Sequence, residues 1–504
     1  MLFLPQMSER AEDSLQKIAK ISLFTAAAAC VVLWLVRIYY ALSFFTPFMM
    51  VTTGLEEESL FSVWKFTQHQ AVYADPYRIP FAASYFNWAY YWFYGSITSA
   101  CLHLLHLDAI WIPTIGRLVT LGLTCVAGAM FCLTAREFVT AGLFAQRPFR
   151  WAWCVIAVTS PLIGFWSITV RPDIGALLFE WAGLYLILRC LRNQDNRLIV
   201  VAALLFYLAW AFKQSSVTIV TGSALTLLLF RRWRPLLTLC VVWWSLAVAT
   251  LVVGGHTYCE CLLFSQRHLP LVMSMAFKNA LRAEFKNPFL VLCLAAMLVL
   301  LWKARPLRSR PAETALVLVA SFSICFALVT AGKAGANDNY YIPVGWAVML
   351  GFALASERMH ARWLQAGLIV CSWLIVAGIA LTPTGKTFYY NYRGQDAAHR
   401  LIADKLAHLP GPAIVTDRYS NLPWVQTIAP HFVLAYTYRY DRSAGIPFED
   451  GGWEGLAQQG YFATIVYDQM GNPPPFFLDK YTLVDEYRDA WSDFKFYRRI
   501  QSAP

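Results

Sequence analysis

Twelve apolar segments of helical length follow one another along the 504-residue chain and restrict its fold more than any other feature. About 20 apolar residues are enough to cross a bilayer as a helix. Only 14% of the residues are charged and the mean hydropathy is +0.48, whereas a soluble domain has about a quarter charged residues. We therefore predict a mainly α-helical, polytopic membrane protein, and this composition excludes a disordered chain, a fibrous protein and a small disulfide-stabilised domain. The segments are 21–43, 88–106, 111–134, 151–170, 174–190, 198–212, 215–230, 235–254, 288–302, 313–331, 340–355 and 363–382.

Clusters of Lys and Arg between the apolar segments predict the topology, because short cytoplasmic loops carry an excess of these residues. Arg10, Lys17 and Lys20 place the N-terminus in the cytoplasm, and Arg136 begins the next cytoplasmic cluster. Residue 45 is expected outside and Arg136 inside, so an odd number of membrane crossings must lie between them. That stretch, however, contains two apolar segments. We therefore expect 85–106 not to cross as a simple span, which leaves about eleven helices in a range of 11 to 13. The net charge of +11 lies in these loops, so it does not indicate nucleic-acid binding.

The chain divides into a transmembrane catalytic domain, 1–383, and a small extracytoplasmic α/β domain, 384–504. The first outer loop is expected at about 44–87. In the second domain, helical periodicity over 396–408 is followed by short β-rich segments at 413–416, 462–467 and 481–484. The many Tyr and Trp side chains of this domain suit either ordinary packing or a face that meets a glycan or the membrane.

The first polar feature of the outer loops is the triplet Glu56-Glu57-Glu58, which follows the first span. Three adjacent carboxylates repel one another, so one of them is expected to have a raised pKa or a cationic partner. Such a carboxylate can act as a general base toward a hydroxyl group. The structural alternative is a helix N-terminus, where Glu is favoured in the first turn.

Four more polar groups fall on the same outer side, which predicts one shared cavity at the outer face of the membrane. Lys and Arg suit phosphate, a carboxylate suits a hydroxyl nucleophile, and aromatic rings suit the faces of sugars. A phosphate within reach of the bilayer suggests a lipid phosphate. The groups are Tyr73 to Arg78 with Asn87, Arg171-Pro172-Asp173, Lys213-Gln214, and Asn337-Asp338-Asn339-Tyr340-Tyr341.

This pattern resembles the integral-membrane glycosyltransferases of the GT-C fold that use lipid-phosphate sugars. It is most similar to the bacterial branch grouped with the rhizobial lipopolysaccharide galacturonosyltransferases, and more distantly to the protein mannosyltransferases. The resemblance rests on an acid after the first span, an Arg at the start of a later span, and "Y-x-D-P", "R-P-D", "K-Q" and "N-x-N-Y" elements. In this chain they are Glu56-Glu57-Glu58, Arg117, Tyr73-Ala74-Asp75-Pro76, Arg171-Pro172-Asp173, Lys213-Gln214 and Asn337-Asp338-Asn339-Tyr340.

The resemblance implies an inverting transfer of a sugar from a polyprenyl-phosphate donor to an acceptor hydroxyl. It assigns the general base to Glu56, with Glu57 as the second choice and Glu58 as the third, and gives Asp173 a catalytic positioning role. Arg171, Lys213 and Arg78 would hold the donor phosphate. The implied substrate-binding residues are Tyr73, Asp75, Asn87, Gln214, Asn337, Asp338, Asn339 and Tyr340.

The same resemblance implies the partners and the location of the protein. The donor is a polyprenyl-phosphate sugar, and the acceptor is a cell-envelope glycan, lipid, lipopolysaccharide or protein. No cofactor is certain; a divalent metal can bridge acid and phosphate in such a site, but no ligand cluster in the sequence requires one. The expected location is a bacterial inner membrane, with the C-terminal domain in the periplasm or outside the cell.

Three other functions fit a multispan chain. A transporter or lipid flippase would show internal symmetry and a charged path through both leaflets, and the inner side here carries only loop cations. An O-antigen polymerase or ligase also acts on polyprenyl lipids, but its main outer loop is expected late in the chain. An inactive family member that serves as a scaffold is the third alternative.

Overall fold

The computed structural model describes most of the chain, and helices account for most of that part. It describes residues 9–44, 55–139, 143–304, 310–359, 362–381, 393–416 except 395, 398, 399, 403 and 407, 432–468, 479–488 and 493–500. Part of the predicted first outer loop, 45–54, and the predicted domain boundary at 383/384 lie outside these residues.

Each of the twelve apolar segments contains a helix, because a helix satisfies its own backbone hydrogen bonds where water is absent. Two further helices, α2 and α10, lie in predicted outer loops. The bounds are α1 Glu9–Ser43, α2 Leu55–Thr67, α3 Trp88–Leu104, α4 Ile112–Phe138, α5 Arg147–Thr159, α6 Asp173–Asn193, α7 Leu198–Phe212, α8 Thr218–Leu229, α9 Trp233–Cys259, α10 Met273–Lys286, α11 Phe289–Ala304, α12 Pro311–Thr330, α13 Ile342–Met359 and α14 Arg362–Leu381.

Among the described residues, six helices are long and apolar enough to cross a membrane by length and composition: α1, α4, α6, α9, α12 and α14. Three shorter apolar helices, α7, α8 and α11, accompany them. The chain is therefore a multi-pass membrane protein. The helix α5 is shorter than the predicted segment 151–170, because the following Ser160-Pro161 ends it; proline disfavours the helical conformation of the residue before it.

The helix α3 begins close to the end of α7. Its N-cap, Asn87, donates to the Trp210 carbonyl near the end of α7 (2.9 Å), next to Lys213. Only residues 105–111 join α3 to α4, and Arg117 in the second turn of α4 binds Glu56, which also accepts a hydrogen bond from the Val170 amide. The start of α3 thus lies at the end of the bundle that carries Arg171 and Lys213, here called the site end. That 85–106 is not a simple span stays a prediction.

Small residues bring the central helices close together, as is usual for packing in a membrane. A Cβ atom on Gly175 of α6 would lie 2.6 Å from the Phe212 ring of α7, and one on Gly183 would lie 2.7 Å from the Phe206 ring. A Cβ on Gly222 of α8 would lie 2.8 Å from the backbone of Val319 in α12. These contacts fix α6, α7 and α8, whose ends carry the site residues.

The C-terminal region contains a four-stranded sheet with helices on both sides. The strands are β1 Ala413–Val415, β2 Thr464–Asp468, β3 Tyr481–Arg488 and β4 Asp493–Arg499, and their order is β1-β2-β4-β3. Strands β1 and β2 are parallel, and the other pairs are antiparallel. The described residues between 393 and 408 are mostly helical, as predicted, and α15 Tyr438–Ser443 and α16 Gly452–Gln458 follow β1. The sequence predicted three of the four strands and missed β4.

The first outer loop packs into the C-terminal region. Phe81 lies in the same apolar cluster as Phe432, Tyr438 and Phe448. The Val433 amide donates to the Pro80 carbonyl (2.9 Å) and the Ala435 amide donates to the Phe81 carbonyl (3.0 Å). These contacts place the segment Phe432–Thr437 at the site end of the helical bundle.

Candidate functional site

Two of the three predicted phosphate-binding cations lie at the ends of α6 and α7. Arg171 lies after the short 3₁₀ turn Gly164–Ser167 and before the N-cap residue Pro172, and Asp173 is the first residue of α6. An acidic residue is favoured at this position because the helix N-terminus carries a partial positive charge. Lys213 is the C-cap residue of α7, where a cation is favoured for the converse reason.

Asp173 connects three of the predicted site residues. Its Oδ1 atom accepts from Lys213 Nζ (2.7 Å) and from Asn339 Nδ2 (2.6 Å), and its Oδ2 atom accepts from Arg171 Nε (3.3 Å). All four residues are largely buried, so the contacts are little screened by solvent. One carboxylate therefore sets the positions of both cations.

Aromatic rings enclose the same cations. The Arg171 guanidinium carbon lies 4.9 Å from the centre of the Trp166 ring and 5.3 Å from that of Phe86. Lys213 Nζ lies 4.9 Å from the centre of the Tyr340 ring. Cation–π contacts of this kind hold a cationic side chain without using up its capacity to donate hydrogen bonds to an anion.

A cavity of about 340 Å³ opens in front of these groups. Six of the predicted site residues line it, namely Arg171, Lys213, Gln214, Asn337, Asn339 and Tyr340. Gln214 is held by hydrogen bonds from its Nε2 atom to the carbonyls of Tyr85 (2.7 Å) and Leu262 (3.3 Å). Tyr436, from the C-terminal region, lines the cavity as well. The cavity thus combines cations, amides and aromatic walls.

Three of the predicted residues do not line this cavity. The Arg78 side chain is 73% exposed and pairs with Asp75 at the surface (3.5 Å). The Tyr73 hydroxyl donates to the Phe86 carbonyl (2.8 Å) and so holds the backbone of the first outer loop. A phosphate-binding role for Arg78 and a direct substrate contact by Tyr73 or Asp75 are therefore not supported by this geometry.

Two more predicted residues have structural contacts. Asn87 is completely buried, and its side-chain oxygen accepts from the Trp88 amide at the start of α3 (2.8 Å). Asp338 is also completely buried; it forms an ion pair with Lys286 of α10 and accepts from the Trp166 indole nitrogen (3.3 Å). Both residues shape the walls of the cavity rather than line it.

Glu56, the first-choice base, does not line the cavity. Arg117 Nη2 donates to its Oε2 atom (3.2 Å), and Arg117 Nε donates to its Oε1 atom (3.3 Å). The Val170 amide also donates to Oε1 (3.0 Å). Neither side chain of the pair has any exposed surface. Both carboxylate oxygens are therefore engaged in holding Arg117 and the backbone next to Arg171, an arrangement that does not support the role of base.

Glu58 has one anchored oxygen and lines a small pocket. Its Oε1 atom accepts from the Tyr91 hydroxyl (2.5 Å), the Ser62 hydroxyl (2.9 Å) and the Tyr85 amide (3.3 Å). Its buried Oε2 atom accepts no hydrogen bond within the described part of the chain. Burial raises the pKa of Glu58 to about 7, although these hydrogen bonds and nearby Lys65 oppose the increase.

The pocket at Glu58 adjoins the large cavity. Tyr85 and Tyr436 line both of them, and the other walls of the pocket come from apolar side chains of the first outer loop and the C-terminal region. The remaining glutamate of the triplet, Glu57, is buried and lines neither space. Among the three carboxylates, Glu58 is thus the one that borders a pocket.

The sequence interpretation missed several residues at the cavity. Lys333, Trp166 and Gln266 line it, and none was assigned a role. The position of Lys333 shortly before Asn337 was a usable signal, whereas nothing in the sequence indicated that Tyr436, nearly 100 residues further on, would reach the same cavity. Among the described residues, no group of three or more His, Cys, Asp and Glu side chains is arranged to hold a metal ion.

Comparisons with known proteins identify the fold. No protein-family model matches the chain, and no curated protein sequence matches it either. Among solved structures, ArnT from Cupriavidus metallidurans in the apo state has a TM-score of 0.54 and 14% identity over 88% of this chain and 92% of its own. The chain has a GT-C fold.

A second solved structure is also similar in fold to this chain. The archaeal oligosaccharyltransferase AglB from Archaeoglobus fulgidus, in complex with an inhibitory peptide and a dolichol-phosphate, has a TM-score of 0.51. Its identity is 12% over 92% of this chain and 70% of the AglB chain. At these identities the likeness shows the fold alone. The predicted fold class, a polytopic helical membrane protein with a small C-terminal sheet, is confirmed.

Proposed function

We propose that this chain is a glycosyltransferase that moves a sugar from a polyprenyl-phosphate donor to a hydroxyl group of a cell-envelope acceptor. The acceptor is a lipopolysaccharide, glycan, lipid or protein at the outer face of a bacterial inner membrane. The observation that carries the proposal is the pair Arg171 and Lys213, joined by Asp173 at one cavity, with the Glu58 carboxylate in the adjoining pocket. A dolichol-phosphate is bound in the AglB structure, which has the same fold.

The site residues suit a single displacement at the anomeric carbon. Glu58 accepts the proton of the acceptor hydroxyl, whose oxygen forms the new bond to the anomeric carbon. The bond from that carbon to the phosphate oxygen breaks, and its electron pair leaves with the polyprenyl phosphate. Attack opposite the leaving group inverts the anomeric configuration. Arg171 and Lys213 stabilise the charge that develops on the phosphate.

The remaining residues position these groups. Asp173 holds Arg171 and Lys213 and is a positioning residue, because its oxygens are occupied by them and by Asn339. Gln214, Asn337 and Tyr340 line the cavity where the sugar would lie. The triplet order implied by the resemblance is thereby changed: Glu58 becomes the first choice, Glu57 the second, and Glu56 a structural residue.

Binding of a lipid phosphate tests the proposal directly. Native mass spectrometry of the purified protein with added undecaprenyl phosphate is expected to show one bound lipid. Arg171→Ala and Lys213→Ala should each reduce its occupancy at least tenfold, because each removes a cation from the phosphate site. Arg78→Ala serves as the matched control and should retain the lipid, since Arg78 pairs with Asp75 at the surface. No binding to the unaltered protein would instead favour a transporter of another polar substrate.

The pH dependence of transfer gives a second test, based on Tyr91. Its hydroxyl stabilises the charged form of Glu58 and lowers the pKa of that carboxyl. Tyr91→Phe removes this donor, so the pKa of Glu58 should rise above about 7. A base acts when deprotonated, and the acidic limb of the rate–pH curve should therefore move to higher pH by about one unit.

The control for this experiment is Tyr94→Phe, in the same helix. The Tyr94 hydroxyl pairs with Thr120 (2.7 Å) and does not contact Glu58. The acidic limb of the rate–pH curve of Tyr94→Phe should coincide with that of the unaltered protein. An unshifted limb in Tyr91→Phe, measured on a protein with unchanged thermal stability, would contradict the assignment of the base to Glu58.

A further inference from the structure

Lys333 places a third cation at the cavity, on a loop whose backbone is held firmly. The Val272 amide donates to the Gly332 carbonyl (2.7 Å), and the Ala334 amide donates to the Pro270 carbonyl (2.9 Å). The buried Asn279 side chain donates to the Ala331 carbonyl (2.9 Å). This loop follows α12, whereas Arg171 and Lys213 come from α6 and α7. Lys333 therefore forms a second cationic centre on a different wall.

Positive charges outnumber negative charges around the cavity. Among the described residues that line it, Arg171, Lys213 and Lys333 are cationic and none is a carboxylate. Asp173 lies behind the first two and balances one of them. Glu58 lies in the adjoining pocket beside Lys65, so it does not compensate Lys333. Two net positive charges therefore face the space where a substrate would lie.

A sugar phosphodiester carries only one negative charge at neutral pH, which is matched by the Arg171–Lys213–Asp173 group. This single phosphate leaves the charge of Lys333 unmatched. Within the described part of the chain, Lys333 forms no ion pair. The side chain is exposed to the cavity and to solvent. A lysine ammonium is a mobile point charge with three donors, which suits an anionic group whose orientation varies.

We propose that the donor carries a second anionic group that binds Lys333. The chemistry allows two sources for this group, a carboxylate on the transferred sugar or a second phosphate in the lipid linkage. The inference rests on the proposed function, because it takes the Arg171–Lys213 pair as the site of the first phosphate. It adds the charge of the donor, which the fold does not specify.

Competition between three soluble probes tests this inference on the full-length protein in detergent. The probes are farnesyl phosphoglucose, with one negative charge, and two probes with two negative charges each, farnesyl phosphoglucuronate and farnesyl diphosphoglucose. One of the doubly charged probes should displace bound undecaprenyl phosphate at a concentration at least fivefold lower than farnesyl phosphoglucose does. The glucuronate and the diphosphate distinguish the two sources of the second anion.

The variant Lys333→Gln should remove this preference. Lys278→Gln, which alters an exposed lysine outside the cavity, is the matched control and should keep the preference. Equal affinity for all three probes, or a preference that survives in Lys333→Gln, overturns the inference while the proposed function stands. Failure of every probe and of undecaprenyl phosphate to bind overturns the proposed function itself, and the inference with it.

Discussion

Glu58→Gln is expected to reduce sugar transfer by roughly 10²–10⁴-fold, the usual contribution of general acid–base catalysis. The amide has nearly the same shape as the carboxylate but cannot accept the proton of an acceptor hydroxyl. The anchoring contacts at Oε1 from Ser62 and Tyr91 can be kept by the amide oxygen, so the fold should persist. The measurement is transfer of labelled sugar from a polyprenyl-phosphate donor in proteoliposomes.

The neighbouring variant Glu57→Gln separates the two remaining candidates. It should change the rate by less than tenfold if Glu58 is the base, because Glu57 borders neither pocket. Both variants must still bind undecaprenyl phosphate, which confirms that the donor site is intact. Loss of transfer in Glu57→Gln, with transfer retained in Glu58→Gln, would assign the base to Glu57 and refute the present order.

The multispan architecture can be predicted from the sequence because it depends on local properties. Hydropathy over about 20 residues marks each helix, and loop cations mark its cytoplasmic end. Pro161 also predicts that α5 ends early, at Thr159, although the apolar segment continues through 151–170.

The choice among Glu56, Glu57 and Glu58 could not be made from the sequence. Successive residues of a helix point about 100° apart, so the three carboxylates face three directions. Which direction meets the cavity depends on the rotation of α2 against its neighbours. Arg117, about 60 residues later, fixes that rotation by binding Glu56. Spacing relative to Tyr73 carries no information about this contact.

Long-range contacts also explain the other differences at the site. Lys333 and Arg78 look equivalent in the sequence, since each is a basic residue in a predicted outer loop. Arg78 pairs locally with Asp75, three residues earlier, whereas the loop of Lys333 is fixed by a distant segment at Pro270–Val272. Strand β4 is a different case: its buried Phe494 and Phe496 alternate with polar residues, a local signal that the sequence interpretation overlooked.

The second large effect is expected in the Glu56–Arg117 pair, through stability rather than chemistry. Arg117→Met leaves the Glu56 carboxylate buried without its cation and should lower the free energy of unfolding by roughly 3–5 kcal/mol. Arg117 also donates to the Ala41 carbonyl at the end of α1 (2.9 Å), so the variant loosens α1 as well. The measurement is unfolding by denaturant in detergent, with tryptophan fluorescence as the signal that monitors it.

Two variants make this prediction specific. The double variant Glu56→Gln/Arg117→Met removes both charges and should recover most of the lost stability, because the cost comes from the single uncompensated charge. Arg78→Met breaks the exposed pair with Asp75 and should change stability by only about 0–1 kcal/mol. Because Glu56 also holds the Val170 amide beside Arg171, Arg117→Met should weaken binding of undecaprenyl phosphate too. Unchanged stability in Arg117→Met would show that the pair does not hold α1, α2 and α4 together, and would reopen Glu56 as a catalytic candidate.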